Sequence, residues 1–161
     1  MAKWKNSPEL DKYLSMLNKL TDSREYIGRS VYDGAGIVAD AVRAQLSGLP
    51  VAQKFAGDGE KISTITSVQK KGLLDGFGIS PMRDEGGYYH VKLGFAGYNG
   101  QKTKKYPHGV PNSVIARSVV SGTSFRSKND FVGRAVRNTK NAAQRKMEET
   151  LDEEIKKIMM V

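Results

Sequence analysis

Apolar residues recur at three- and four-residue spacing in three long stretches of the chain, and this spacing predicts helices. The pattern predicts one helix over about 7–20, a second over about 22–46 and a long C-terminal helix over about 131–159. Gly48 and Pro50 end the second helix. At 1.5 Å per residue the last helix is about 40 Å long. The first helix carries an apolar stripe made of Leu10, Tyr13, Leu14, Leu17 and Leu20.

The middle of the chain predicts strands. Residues 79–83 and 88–95 are rich in β-branched and aromatic side chains, and the turn between them at 84–87 predicts a hairpin. A short helix, capped by Thr64 or Thr66, precedes them. We therefore expect an α+β fold with N-terminal helices, a small antiparallel sheet and the long C-terminal helix.

The domain organisation follows from the same pattern. We expect a single domain over 1–161, with a helical part at 1–48 and the sheet, corner and last helix at 62–161. A connecting segment with a turn at Gly57-Asp58-Gly59 lies between the two parts.

Residues 111–136 predict a corner between two helices. Pro111 suits the first turn of a short helix, and Gly122 suits the left-handed residue that ends it. A polar, basic crossing follows at 123–128, and Asn129 or Asp130 can cap the long helix. Such a corner fixes the angle between two helices and presents a charged edge.

The order of motifs around this corner resembles the minor tail component, or tail-completion, family of long-tailed phages. In that family a short helix beginning with IA leads to a GTS turn, an aromatic residue and an alanine that opens the long helix. The corresponding residues here are Ile115-Ala116, Gly122-Thr123-Ser124, Phe131 and Ala135. Upstream, the matching segments are Gly72-Leu73-Leu74, Gly78-Ile79-Ser80, Val91 to Phe95 and Gly97-Tyr98-Asn99. The similarity covers roughly residues 66–159. Val120-Ser121 replaces the family's acidic residue, and Asp130 replaces its proline.

The resemblance implies a structural virion protein, made in the host cytoplasm, that completes the tail and joins it to the head-side connector. It implies that the protein assembles with itself in a ring and contacts tail terminator, tail tube or head connector proteins. Genomic DNA would pass through the channel of the ring and could contact the protein in passing. The residues implicated as a structural corner or interface are Ile115, Ala116, Val119, Gly122, Thr123, Ser124, Phe131 and Ala135.

Positive charge is concentrated in the middle of the chain. The formal net charge is +9, and no acidic residue occurs from Gly86 to Asn129, whereas residues 147–161 are rich in acid. A basic middle can bind DNA, dock on an acidic protein rim, or simply form a solvated face. The glycine- and lysine-rich segment 94–110 is predicted to be an exposed loop. The candidates for contact with DNA or an acidic partner are Lys102, Lys104, Lys105, Arg126 and Lys128.

The candidate catalytic and metal-binding residues are few. The chain has no cysteine, which removes thiol catalysis and zinc–thiolate sites. His90 and His108 have no neighbouring carboxylate in sequence, and Asp84-Glu85 is the only acidic pair of the middle section. We therefore expect no enzyme activity, cofactor or metal. No apolar run approaches the roughly 18 residues of a membrane span, so no membrane association is expected.

Overall fold

Five helices and four short strands form the described part of the chain in the computed structural model, which covers residues 8–21, 24–52 and 65–160. The elements in chain order are α1 (Pro8–Thr21), α2 (Arg24–Ser47), α3 (Ser67–Gly76), β1 (Phe77–Ile79), β2 (Arg83–Glu85), β3 (Tyr88–His90), β4 (Leu93–Phe95), α4 (Asn112–Ser121) and α5 (Phe131–Met159). The α+β prediction is confirmed. The predicted turn at Gly57-Asp58-Gly59 and the alternative cap at Thr64 lie outside the described residues.

The two longest helices, α2 and α5, pack along each other in opposite directions. Arg29 of α2 pairs with Glu154 at 2.7 Å, near the end of α5, while Gln45 accepts a hydrogen bond from Arg134 at its start. Between these ends, Thr150 donates to Asp33 at 2.8 Å. A Cβ added to Gly34 would collide with the side chain of Met147, so this glycine lets the two backbones approach closely.

The core lies where α2, α3, α4, β1 and the start of α5 meet. Phe131, Leu46, Ile65 and Leu73 are completely buried there. The ring of Phe95 links Phe77, at a centroid distance of 4.9 Å, to Phe131, at 6.2 Å in a T-shaped arrangement. Offset and edge-to-face pairs are the favoured geometries for aromatic rings. The aromatic residues of the hairpin therefore anchor the beginning of the last helix.

A capping box starts α3 and confirms the predicted cap at Thr66. Its side chain accepts a hydrogen bond from the Gln69 backbone N–H at 3.3 Å, and the Gln69 side chain accepts one from the Thr66 backbone N–H at 3.3 Å. Lys70, one residue later, donates to the carbonyls of Ser47 and Leu49 at 2.6 and 2.8 Å. The Ser47 carbonyl is the last of α2 and the Leu49 carbonyl follows the helix, so Lys70 stabilises the end of α2 and the turn after it.

The four strands form one antiparallel hairpin that is divided into two short sheets. In the inner half β1 pairs with β4, Phe77 opposite Phe95, and in the outer half β2 pairs with β3, Glu85 opposite Tyr88. Three residues on one side, 80–82, face only two on the other, 91–92, so the register shifts by one. The predicted four-residue turn is wrong: β2 includes Asp84 and Glu85, and only Gly86-Gly87 turn, both at positive φ.

Helix α1 contributes little to this core. Its side chains Tyr13, Leu14 and Leu17 are 68, 43 and 53% exposed, although they lie on the predicted apolar stripe. The side chains of Leu10 and Leu20, which complete the stripe, lie outside the described residues. Within the ranges described, no helix has both the length and the apolar composition needed to cross a membrane.

Candidate functional site

A glycine that no other residue can easily replace ends α4 and begins the turn toward α5. Gly122 has φ +76° and ψ 167°, so the φ is positive as predicted, but the ψ is extended rather than left-handed helical. This region of backbone conformation is essentially restricted to glycine. In addition, a Cβ at this position would lie 3.1 Å from the Lys128 backbone nitrogen. The corner is therefore specified both by backbone conformation and by space.

Most of the predicted corner residues lie inside the chain's own core. Ile115, Ala116, Val119, Phe131 and Ala135 are all buried in the core cluster. Thr123 forms a tight turn in which its backbone exchanges hydrogen bonds with that of Arg126, and this leaves Ser124 exposed at the tip. The buried residues hold the angle between α4 and α5 and do not reach a partner directly. Of the eight, Ser124 is the residue with an exposed side chain.

Asp130 caps α5, one of the two predicted caps. Its carboxylate accepts a hydrogen bond from the Gly133 N–H at 2.9 Å and lies 3.2 Å from the Arg137 guanidinium. The backbone hydrogen bond, followed by the Arg137 interaction, lowers the pKa of Asp130 below its ordinary value despite partial desolvation. Asn129 instead orients Arg134, which donates to its side chain at 2.7 Å.

Arg126 is buried, which corrects its assignment to an exposed charged edge. Its side chain is among the largest that are fully buried, with 2% of the residue exposed. One terminal nitrogen donates to Gln69 at 2.8 Å and the other to Ser118 at 3.0 Å, while Nε is buried without a partner. Burial lowers the pKa of Arg126 from its ordinary value, but a guanidinium remains charged at neutral pH. Arg126 is therefore not a surface contact for the DNA backbone.

A chain of side-chain amides connects Arg126 to the basic loop. Gln69 donates to Gln101 at 2.6 Å, and the Gln101 backbone N–H donates to the side chain of Asn99 at 3.2 Å. Asn99 is itself buried and donates to the Val68 carbonyl at 3.2 Å. The loop is thus fixed to α3 at its base.

A cavity of about 290 Å³ lies at the junction of the loop, the corner and the two short helices. Arg126, Gln69 and Ser118 form a polar part of its lining, and Lys105 is the exposed cation among the lining residues. The remaining lining residues are Gln101, Thr103, Tyr106, Val110, Val114, Ile115 and Phe125. The structure therefore brings Arg126 and Lys105 to one cavity, although they are far apart in sequence.

The predicted basic loop is exposed at its tip but ordered by backbone pairing at its base. Asn99 and Gln101 exchange hydrogen bonds with Val110, at 2.7 and 2.9 Å, and Thr103 pairs with Tyr106 around the tip. Lys102, Lys104 and Lys105 are all exposed. The expectation that the whole segment 94–110 is an exposed loop is wrong at both ends, because Phe95 belongs to β4 and packs with Val110 against the core, and also for Asn99 and Gly109, which are buried. Lys128 is exposed as well, on the corner.

The second half of α5 presents acidic side chains to solvent. Glu148, Glu149, Asp152 and Glu153 are exposed, and in the part of the chain that the structure describes none of them forms an ion pair. Glu154 differs, because it pairs with both Lys157 and Arg29 at 2.7 Å. Those two partners lower the pKa of Glu154, the Lys157 hydrogen bond most strongly, against partial desolvation.

The histidines differ in their surroundings. His90 Nε2 lies 3.7 Å from Glu85 across the outer hairpin, a proximity that sequence separation alone did not predict, and His108 is exposed in the basic loop. Among the described residues, no group of three or more histidine, aspartate or glutamate side chains could hold a metal ion.

Sequence reasoning missed the neutral partners of Arg126 and the residues that connect Gln69 to the basic loop. Gln69 could have been noticed, because Thr66 and Gln69 have the spacing of a capping box. Ser118, Asn99 and Gln101 have no comparable signal, since a polar residue in a loop or short helix is usually exposed.

Comparison with family models, with curated proteins and with solved structures finds no match to this chain.

Proposed function

We propose that this chain is a structural virion protein that completes the tail and joins it to the head-side connector of a tailed phage or phage-derived tail particle. Its activity would reside in protein interfaces, with no catalytic step and no cofactor. Its partners would be further copies of itself in a ring and the tail terminator, tail tube or head connector proteins.

The observation that carries the proposal is the corner. The residues that resemble the tail-completion family fall, in the family's order, on the positions that shape it. Gly122 makes the break after α4, and Phe131 anchors α5 in the core. A rigid angle between two helices suits a protein that must present fixed surfaces to two different neighbours.

The surface features also support an assembly role. An exposed apolar row on α1, a basic loop and an acidic half of α5 lie on one chain. Exposed apolar patches and complementary charged surfaces are common marks of protein–protein contact. The proposal is tested by removing the gene from the phage and counting heads, tails and joined particles by negative-stain electron microscopy. Accumulated unjoined heads and tails, restored by the wild-type gene, are expected; normal joining would refute the proposal.

A small basic DNA-binding protein is the second candidate. The exposed Lys102, Lys104 and Lys105, in a segment without acidic residues, favour it, whereas the burial of Arg126 removes one of its expected contacts. Replacing these lysines with glutamine should weaken duplex binding and flatten its salt dependence if the loop contacts phosphates. Unchanged DNA affinity in the triple variant would reject this candidate.

A further inference from the structure

Arg126 is a buried cation for which the described residues supply no carboxylate. Its two hydrogen-bond acceptors are the neutral oxygens of Gln69 and Ser118, and no ion pair within the described ranges includes it. A guanidinium has five N–H groups, and only two of them have acceptors here. The Phe125 ring, whose centroid lies 5.9 Å from the guanidinium carbon, carries no formal charge. Burying a cation without an anion is costly, so a cation is usually retained in such a place together with an anion.

The cavity beside Arg126 has the shape and lining for an anion carried on a side chain. Its volume is about 290 Å³, and Val114, Ile115 and Phe125 give it apolar walls that suit an aliphatic stem. Lys105 adds a second positive charge. A DNA duplex carries its phosphates on the outside of a broad rod, which cannot enter a cavity of this size. The lining therefore favours a carboxylate side chain over a nucleic-acid phosphate.

The same chain carries exposed carboxylates in a different place. Glu148, Glu149, Asp152 and Glu153 lie 17 to 22 positions after Phe131 on α5. At 1.5 Å per residue they are roughly 25–33 Å along the helix from the corner. These side chains therefore cannot reach the cavity of their own chain, but they can reach that of a neighbour. A contact between two different surfaces of identical chains is heterologous, and such contacts build rings when the rotation closes.

We infer that the Arg126 cavity is the acceptor site for a carboxylate from the acidic half of α5 in a second copy of this chain. The carboxylate accepts hydrogen bonds from the unused N–H groups on the two terminal nitrogens of Arg126, and Lys105 attracts the neighbouring acids. The inference deepens the proposed function and rests on it only for the expectation that the copies form a ring.

The test uses two variants of the full chain: one changes the Arg126 cavity, and the other changes the acidic half of α5 that is expected to enter it. Arg126→Met removes the acceptor, and the quadruple variant Glu148→Gln, Glu149→Gln, Asp152→Asn and Glu153→Gln removes the acidic side chains. Sedimentation velocity across a concentration series should show the wild-type chain forming species larger than a dimer. Each variant alone should associate at least about tenfold more weakly, which corresponds to 1.4 kcal/mol. Mixed in equal amounts, the two variants should form a 1:1 dimer and nothing larger, because one intact contact remains.

Folding controls keep the result interpretable. Arg126→Met leaves Gln69 bonded to the Thr66 N–H and Ser118 bonded to the Ile115 carbonyl, so its thermal midpoint should be equal to or above that of the wild type. Should it misfold, Lys105→Glu, a change of an exposed residue, takes its place as the acceptor-defective variant. Lys92→Gln, an exposed lysine that does not line the cavity, is the matched control and should associate normally.

Three outcomes would overturn the inference. They are a wild-type chain that stays monomeric throughout, defective variants that associate as the wild type does, and an Arg126→Met variant that loses DNA affinity while associating normally. Failure of the proposed function would look different: copies would associate through this contact, yet heads and tails would join without the protein.

Discussion

At the scale of single residues, Gly122 decides the geometry of the corner. Its positive φ could be predicted, because glycine commonly follows the last residue of a helix. Its extended ψ could not, since that angle depends on where Lys128 lies after the crossing. The burial of Arg126 was equally beyond prediction, because a basic residue in a polar segment is ordinarily exposed.

Replacing this glycine tests the argument. We expect Gly122→Ala to lower the free energy of unfolding by about 1–3 kcal/mol, because alanine is strained at this φ and ψ and its Cβ crowds the Lys128 backbone. Gly36→Ala in α2 is the matched control. A Cβ there meets nothing within 4 Å, so the change should stabilise the chain by about 0.5–1 kcal/mol. Urea denaturation of both variants measures the difference, and equal effects of the two substitutions would contradict the argument.

At the scale of elements, the long helices were predictable and their contacts were not. Apolar spacing placed α2 and α5 within a few residues of their observed ends, and Thr66, one of the two predicted caps, marks the start of α3. The hairpin was predicted, but not its division into two registers, because Pro81 in the extra segment marks an edge or a bulge without saying which residue is unpaired. The apolar stripe of α1 indicated a helix correctly, yet spacing alone cannot say whether such a face is covered.

The close approach of α2 to α5 predicts a second pair of variants. Gly34→Ala should destabilise the chain by about 1–3 kcal/mol, because the added methyl group meets Met147 and lies 3.1 Å from the Ala143 carbonyl. Shortening Met147 to alanine should remove part of this clash. The double variant Gly34→Ala, Met147→Ala should therefore be less destabilised than the sum of the single variants, and a thermodynamic cycle from denaturant unfolding measures that coupling. Strict additivity would show that the two residues do not compete for space.

The cap of α5 predicts a pH dependence. Hydrogen bonding to Gly133 lowers the pKa of Asp130 in the folded chain below its value of about 3.9 in the unfolded chain. Its charged form therefore contributes stability above pH 4 or so, and this contribution is lost as the pH falls through the lower, folded pKa. Asp130→Asn keeps a capping residue but cannot titrate.

The measurement is the thermal midpoint of each protein between neutral and strongly acidic pH. The Asp130→Asn variant should lose less stability than the wild type as the pH falls below about 4. Asp75→Asn, which changes an exposed aspartate in α3, is the control and should follow the wild type. Parallel curves for the wild type and Asp130→Asn would show that the cap does not depend on charge.

At the scale of the whole molecule, the two candidate functions predict damage in different places. If the chain is a joint, Phe131→Ala, which removes a fully buried ring, should cost about 3–5 kcal/mol and yield unjoined heads and tails. Gly122→Val should act in the same direction. Replacing Lys102 and Lys104, exposed lysines that do not line the Arg126 cavity, with glutamine should leave joining largely intact. Two measurements distinguish the candidate functions: the number of joined particles counted by electron microscopy, and the infectivity. Folded corner variants that join normally, with failure confined to the lysine variant, would favour DNA binding.

The one-residue shift in the hairpin has a practical consequence. Side chains along a strand alternate between the two faces of a sheet, so one extra residue changes which face the following residues occupy. The outer pair, β2 and β3, is therefore set in a register of its own, separate from the inner pair, β1 and β4, which packs on the core. Gly86 and Gly87 at the tip are exposed, and a Cβ at either position meets nothing within 4 Å. Exposed loop tips are the sites where inserted sequence is best tolerated. An epitope or fluorescent label inserted there should leave the fold intact and, if the proposed function holds, locate the protein within an assembled particle.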